Sequence, residues 1–325
     1  MMSERRSVLF VIDVEPDARK TRDGAGGWEG SDAAVDHLER LRSQLENATG
    51  VPVQLNWFLR ADPQIEHTWG RADWVAEACP RIIRAIVDRG DYSGIHPHLW
   101  RWHAQRREWF TELHNPAWTR ECLQIAIAAY ARIFGRPPEA TRFGDRWLDQ
   151  HSVDLLREFG IRFDLTIEPG IPDTPIHDDR HATGWLPDFR GAPRDPYVPS
   201  RDNFLVPASI SSDSASLWML PLTTTPLAWR LIRRPPYLMK ASRPPNLALS
   251  SDYVWPHIRN QLEQGSEAPL SIVLRSGDLT DRDFLKNFLR TTGELVTHPM
   301  LARCEFTNPA TAVARWQTRR HSGIS

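Results

Sequence analysis

The 325-residue chain is poor in cysteine. It has three, Cys79, Cys122 and Cys304, and no two of them share a metal-finger spacing. That argues against a zinc-finger or disulfide scaffold and fits a reducing compartment. Charge of one dominant sign is also lacking: 40 Lys and Arg face 41 Asp and Glu, for a formal net charge of -1. No overall field draws such a chain to nucleic acid or to an acidic membrane. No apolar run is long enough to cross a bilayer, and the first, Val8 to Ile12, is broken by Asp13 and lacks a small-residue cleavage site. A soluble cytoplasmic protein with no signal peptide is therefore expected. The P-loop and the G-x-S-x-G nucleophile elbow are absent, and the glycine cluster Gly24, Gly26, Gly27 and Gly30 misses the dinucleotide-binding spacing. There is no internal repeat and no heptad run.

What the chain does have is an alternation of apolar runs with helix-periodic segments. Strands are expected from Val8, over Val51–Leu59, in "YSGIHPHLW", "IRFDLTI", "SLWMLPLTT" and "PLSIVLRSGDL", and in "ARCEF". Helices are expected over Ser31–Asn47, with Leu38, Leu41 and Leu45 on one face, in the segment stopping at Gly90, and over Trp118–Gly135. Further helices fit Gln150–Phe159 behind an Asp149 cap, Tyr253–Gln264, a segment from Asp281 capped by Thr280, and a tail from Pro309. This pattern is that of an α/β protein with a mainly parallel sheet or barrel. Between Glu168 and Ser216 the periodicity fails, which marks an ordered insertion or lid over residues 169–215. One domain over residues 1–318 is expected, with a loose end after Gln317 and a flexible tail over 319–325.

Three stretches carry chemistry. In "VLFVIDVEPD" a buried-type strand ends in acids, and Asp13 and Glu15, two apart, project to one side of an extended chain. In "GIHPHLWRWH", His96 and His98 share a side in the same way, with His103 beyond them. Two imidazoles and one carboxylate make a three-ligand site that leaves a position open for water or substrate. Trp100, Trp102 and Trp109 nearby are either core or the lining of a sugar groove. In "RFGDRW" the Arg142 guanidinium can hold a carboxylate by a bidentate bond, while Asp145, Arg146 and Trp147 follow at the same strand end. A pair of solvated acids, two unremarked histidines and a surface ion pair are the bland alternatives for the three stretches.

The chain resembles the polysaccharide deacetylase superfamily (carbohydrate esterase family 4 and its relatives) in "IDVEPD", "GIHPHLW", "RFGDRWLDQHSVDLLREFGIRFDLT" and "LSIVLRSGDL", which keep that order over residues 7 to 306. The resemblance implies a distorted (β/α) barrel of about seven strands. It also implies one divalent metal ion, zinc being the expected one, and removal of an acetyl or related group from the amide nitrogen of a sugar or similar small substrate. Carried over by position, Asp13 is the general base, Arg142 orients it, and Glu15, His96 and His98 hold the metal. Trp100, His103, Asp145, Arg146 and Trp147 become candidates for substrate binding.

Three departures from the family pattern stand out. Adjacent aspartates become "DVE". The second histidine usually lies four after the first, where this chain has Trp100, so that His98 takes the role and His103 is held in reserve. The late-strand Leu-x-His becomes "VLR", which puts Arg275 where the general acid stands. Arginine does not release a proton near neutrality, so Arg275 is read as an oxyanion stabiliser or a holder of anionic substrate. His103, Asp145 and Asp13 itself are the remaining donors for the leaving amine. The rival reading is a degenerate family member that binds a glycan or metabolite without hydrolysing it.

Overall fold

A computed structural model describes residues 5–19, 21, 27–175, 185–208, 216–226, 242–243 and 245–322. The chain runs β1 (Arg6–Val14), α1 (Glu29–Thr49), β2 (Asn56–Leu59), α2 (Pro63–Trp69), α3 (Val75–Ala78), α4 (Pro80–Arg89) and β3 (Tyr92–Ile95). A hairpin of β4 (Trp100–His103) and β5 (Glu108–Thr111) precedes α5 (Pro116–Phe134), β6 (Ala140–Thr141), α6 (Gln150–Glu158) and β7 (Phe163–Asp164). Next come the short antiparallel pair β8 (Thr174–Pro175) and β9 (Trp185–Leu186), then β10 (Trp218–Met219), then the pair β11 (Thr225–Pro226) and β12 (Ser242–Arg243). The chain closes with α7 (Ser251–Glu263), β13 (Leu270–Arg275), α8 (Arg282–Thr297), β14 (Cys304–Phe306) and α9 (Pro309–Ser322).

Seven parallel strands in the order β10-β7-β6-β3-β2-β1-β13 form one curled sheet, with β14 paired to the first residues of β1. The sheet's two ends approach each other where the Ser271 backbone N–H donates to Thr223 Oγ1 at 2.9 Å. The result is a distorted α/β half-barrel. β1 is buried along its whole length, which explains its unbroken apolar run: helices on one side and barrel interior on the other leave no face for water. Because all seven strands are parallel, their C-terminal ends fall on one rim, the rim where barrel enzymes place their chemistry. Among the described residues, no helix is long and apolar enough to cross a membrane.

Several expected boundaries move. The strand expected from Val51 starts at Asn56, because Pro52 keeps the preceding segment irregular. β3 stops at Ile95, so His96 and His98 lie on the loop after the strand, and "WRWH" turns back into the β4–β5 hairpin. The cap of α8 is Asp281, whose carboxylate accepts from the N–H groups of Asp283 and Phe284 at 2.8 and 3.1 Å, while the expected cap Thr280 donates to Gly277 O. The loose end expected after Gln317 is instead helical to Ser322, held where the Arg319 guanidinium donates to Arg5 O. Of the 169–215 insertion, Phe189 and Tyr197 are buried in the core beside α5 and α6; residues 176–184 and 209–215 lie outside the described residues.

Candidate active site

Six strand ends supply the site. Asp13 closes β1 in register with Arg275 of β13 and Phe58 of β2, and Glu15 follows it. Arg60 follows β2, His96 and His98 follow β3, Arg142 follows β6, and Asp164 closes β7. The two imidazoles turn Nε2 toward each other, 3.2 Å apart. Glu15 Oε1 lies 3.4 Å from His96 Nε2, and Oε2 lies 3.4 Å from His98 Nε2. A tetrahedral ion bound at about 2.0–2.1 Å has donor–donor edges of about 3.3–3.4 Å. The imidazole pair matches such an edge, and with a Glu15 oxygen the three donors lie within 4.8 Å of one another, each carboxylate oxygen nearest a different imidazole.

The other ring nitrogens explain the aim. His96 Nδ1 donates to Arg142 O at 2.6 Å, and His98 Nδ1 donates to Asp145 Oδ2 at 3.2 Å, so each Nε2 is left with its lone pair forward. Asp145 Oδ2 also accepts from the Trp100 indole at 3.1 Å, and Oδ1 accepts from Arg19 at 2.5 Å. Asp145 and Arg146 hold φ of 53° and 58°, consecutive non-glycine residues in the left-handed region. Backbone cost of that kind persists where surrounding contacts fix it. Gly144, just before them, lies so close to the His98 ring that a Cβ would stand 2.1 Å from Nε2. "FGDRW" is a cradle that sets the plane and tautomer of His98.

Asp13 is held separately. Arg142 Nε donates to its two oxygens at 2.8 and 3.1 Å, and Arg142 NH1 donates to Leu165 O at 3.1 Å. Burial opposes the Arg142 charge, but Asp13 and Glu168 more than compensate and raise its pKa. Glu15 sits between two guanidiniums, Arg60 NH1 at 3.2 Å and Arg275 Nε at 3.1 Å. Its burial favours the acid form, yet Arg275 and the imidazoles win and hold its pKa well below the usual carboxylate range. Beneath it, fully buried Arg60 also donates to Asp62 at 2.8 Å, and Asp62 accepts from the His98 backbone N–H at 3.1 Å. Ser31 and Ser276 donate to Glu15 O and Asp13 O at 2.8 and 3.1 Å, pinning the "DVE" backbone.

No protein-family model and no curated sequence matches the chain. Solved structures do. A candidate polysaccharide deacetylase from Mycobacterium smegmatis superposes with a TM-score of 0.55 at 14% identity, over 98% of this chain and 93% of that one. A second candidate polysaccharide deacetylase, from Pseudomonas aeruginosa PAO1, gives 0.54 at 15% identity over 96% and 91%. A candidate glycoside hydrolase/deacetylase from Parabacteroides distasonis gives 0.59 at 13% identity over 97% and 72%. The fold is that of the polysaccharide deacetylases. At such identities the likeness concerns the deacetylase fold, and the site has to be argued from this chain's own residues.

Asp13, Glu15, His96, His98, Arg142, Asp145, Arg146 and Arg275 all line one cavity of about 240 Å³, together with Arg19, Phe143 and Gly144. Trp100 and Trp147 do not line it. Trp100 is fully buried behind the deacetylase-like rim with its indole N–H on Asp145, and Trp147 is core, edge-on to His114 at 4.9 Å. His103 lies on the β4–β5 hairpin against Phe110, also off the cavity. Sequence reasoning missed Arg60 and Asp62, although "LNWFLRAD" shows the same signal as β1, an apolar run ending in charge. It missed Arg19, Ser31 and Ser276 because nothing in a local window marks a residue whose partner is far away in the chain.

Proposed function

We propose that the protein is a metal-dependent hydrolase that removes an acetyl or related acyl group from the amide nitrogen of a sugar or similar small substrate. One observation carries the reading: a Glu15–His96–His98 donor set gathered within 4.8 Å beside an Asp13 carboxylate clamped by Arg142. The names of the solved neighbours point the same way. Glu15, His96 and His98 would hold the ion, zinc by its nitrogen and carboxylate donors, which when bound would supply a Lewis acid to polarise the acyl carbonyl and acidify water. Asp13 accepts the proton of the attacking water, with its carboxylate kept in place by Arg142. Arg275 adds positive charge near the developing oxyanion. For the leaving amine, Asp145 is a poor donor: burial favours its acid form, but His98 and Arg19 hold its pKa far below the usual range. Asp13 then returns the proton it took, acting first as base and then as acid. The three cysteines, all buried and free, suit a cytoplasmic setting.

The test is acetate release from a panel of N-acetylated sugars. Asp13→Asn is expected to lower the rate by about 10²–10⁴-fold with metal content unchanged. An unchanged rate would remove Asp13 from the chemistry. The rival reading, binding without hydrolysis, draws on the Arg275–Glu15 ion pair; metal-loaded protein inert toward the whole panel would favour it.

A further inference from the structure

Charge is not spread evenly over the cavity. Its acids are deep: the side chains of Asp13, Glu15 and Asp145 are 8%, 7% and 13% exposed. Its cations span both depths: Arg142 is 8% exposed, while Arg275 at 26% and Arg19 at 39% reach outward. Four guanidiniums, Arg19, Arg142, Arg146 and Arg275, share the lining with three carboxylates, and just outside it Asp278 lies 3.6 Å from Arg275 and Glu168 3.9 Å from Arg142. A substrate therefore meets guanidinium at the mouth and carboxylate only at the floor.

Arg275 is also under-used. Its guanidinium has five N–H donors. Among the described residues it makes a single hydrogen bond, NH2 to Pro16 O at 3.2 Å. Nε stands 3.1 Å from Glu15 Oε1 but lacks hydrogen-bond direction, and NH1 is 3.6 Å from Asp278 Oδ1. Buried polar donors are normally satisfied, and Nε is buried without an acceptor in line; the guanidinium is part of the cavity wall, where a ligand's oxygens can meet it. Arg146, also in the cavity lining, is positioned by its left-handed backbone and by NH2 donation to Thr174 Oγ1 at 3.1 Å.

We infer that the substrate is anionic, an N-acyl compound carrying a carboxylate or a phosphate close to the scissile amide, with Arg275 and Arg146 binding that group. This rests on the hydrolase reading for the amide but not for the anion. A planar guanidinium matches the two oxygens of either anion, and Arg275 serves recognition at the position where the family acid stands.

The experiment compares the zinc-loaded protein on neutral N-acetylglucosamine, on its 6-phosphate and on N-acetylmuramic acid, with inorganic phosphate and acetate titrated as binding probes. The anionic sugars are expected to show the higher kcat/KM, and the ratio of anionic to neutral is expected to fall about 10- to 100-fold in Arg275→Gln and in Arg146→Gln, through KM. Which anionic sugar leads separates phosphate from carboxylate. A loss of activity that is equal on neutral and anionic substrates in both variants would confine both arginines to the amide chemistry or the fold and would overturn the inference. Neutral sugars hydrolysed as well as anionic ones would overturn it too while leaving the hydrolase intact. If no amide is cleaved but phosphate or acetate binds and both variants weaken it, the anion site stands and the hydrolase reading fails.

Discussion

The two ends of the same strands hold two buried charge clusters that are built differently. Below β2 and β3, Asp91 accepts four donors: Arg42 NH1 and NH2 at 2.9 and 2.5 Å, Leu55 N at 3.0 Å and the Trp57 indole at 2.8 Å. Arg42 gives two further donors to Val53 O and Glu39 at 2.7 and 3.0 Å. That cluster is closed, and every strong acceptor is used. At the upper rim, Glu15, His96 and His98 turn lone pairs toward one another, while Arg275 holds donors in reserve. Charges of similar burial thus serve opposite ends: a saturated network fixes a fold, and an unsaturated one leaves valence for a ligand.

Breaking the closed end should have the largest effect. Arg42→Ala leaves Asp91 buried without its cation and is expected to cost about 3–5 kcal/mol of unfolding free energy, read from the urea midpoint. His96→Ala, at the open end, is expected to cost less than this in metal-stripped protein; the reverse order would erase the contrast. Next in size is Asp145→Ala, which removes the acceptor that fixes the tautomer of His98. Metal affinity of the apo protein is expected to drop about 10–100-fold with the fold intact by circular dichroism. Unchanged affinity would reduce Asp145 to packing.

The smallest effect concerns pH. Asp164 is buried at the end of β7, its oxygens accepting from Thr166 N and Oγ1 at 2.9 Å, and burial pushes its pKa up to about 7. Raised above the unfolded value of about 3.8, it binds more protons in the folded state between those values. Stability contributed by the neutral acid is therefore full below about pH 4 and is lost as pH rises through about 7. Asp164→Asn should flatten that fall in a series of urea midpoints from pH 4 to 8. A slope identical to that of the parent protein would assign the effect elsewhere.

The contrast between the ends also sorts what the sequence could reveal. β1 and the alternating pattern were legible because burial on both faces leaves an uninterrupted apolar run. Asp13, Glu15, His96 and His98 were legible because a spacing of two in an extended chain puts side chains together whatever the fold. Arg142 was legible as a holder of some carboxylate, but its pairing with Asp13, 129 residues away, came only through the family resemblance. Asp145 was visible as a charged residue but not as a support for His98: its task depends on left-handed backbone that "GDR" does not announce. Trp100 and Trp147 stood as substrate-binding candidates because aromatic content signals area, not which side of the sheet the area faces. Arg42 and Asp91, the whole closed cluster, drew no attention, since each alone is an ordinary charged residue.

Metal content of freshly purified protein, set beside Glu15→Ala and His96→Ala, tests the central claim most directly. Near-stoichiometric zinc or another divalent ion in the parent and its loss in both variants is the predicted result. A parent protein that carries no ion and takes up none from added zinc, cobalt or nickel would contradict it.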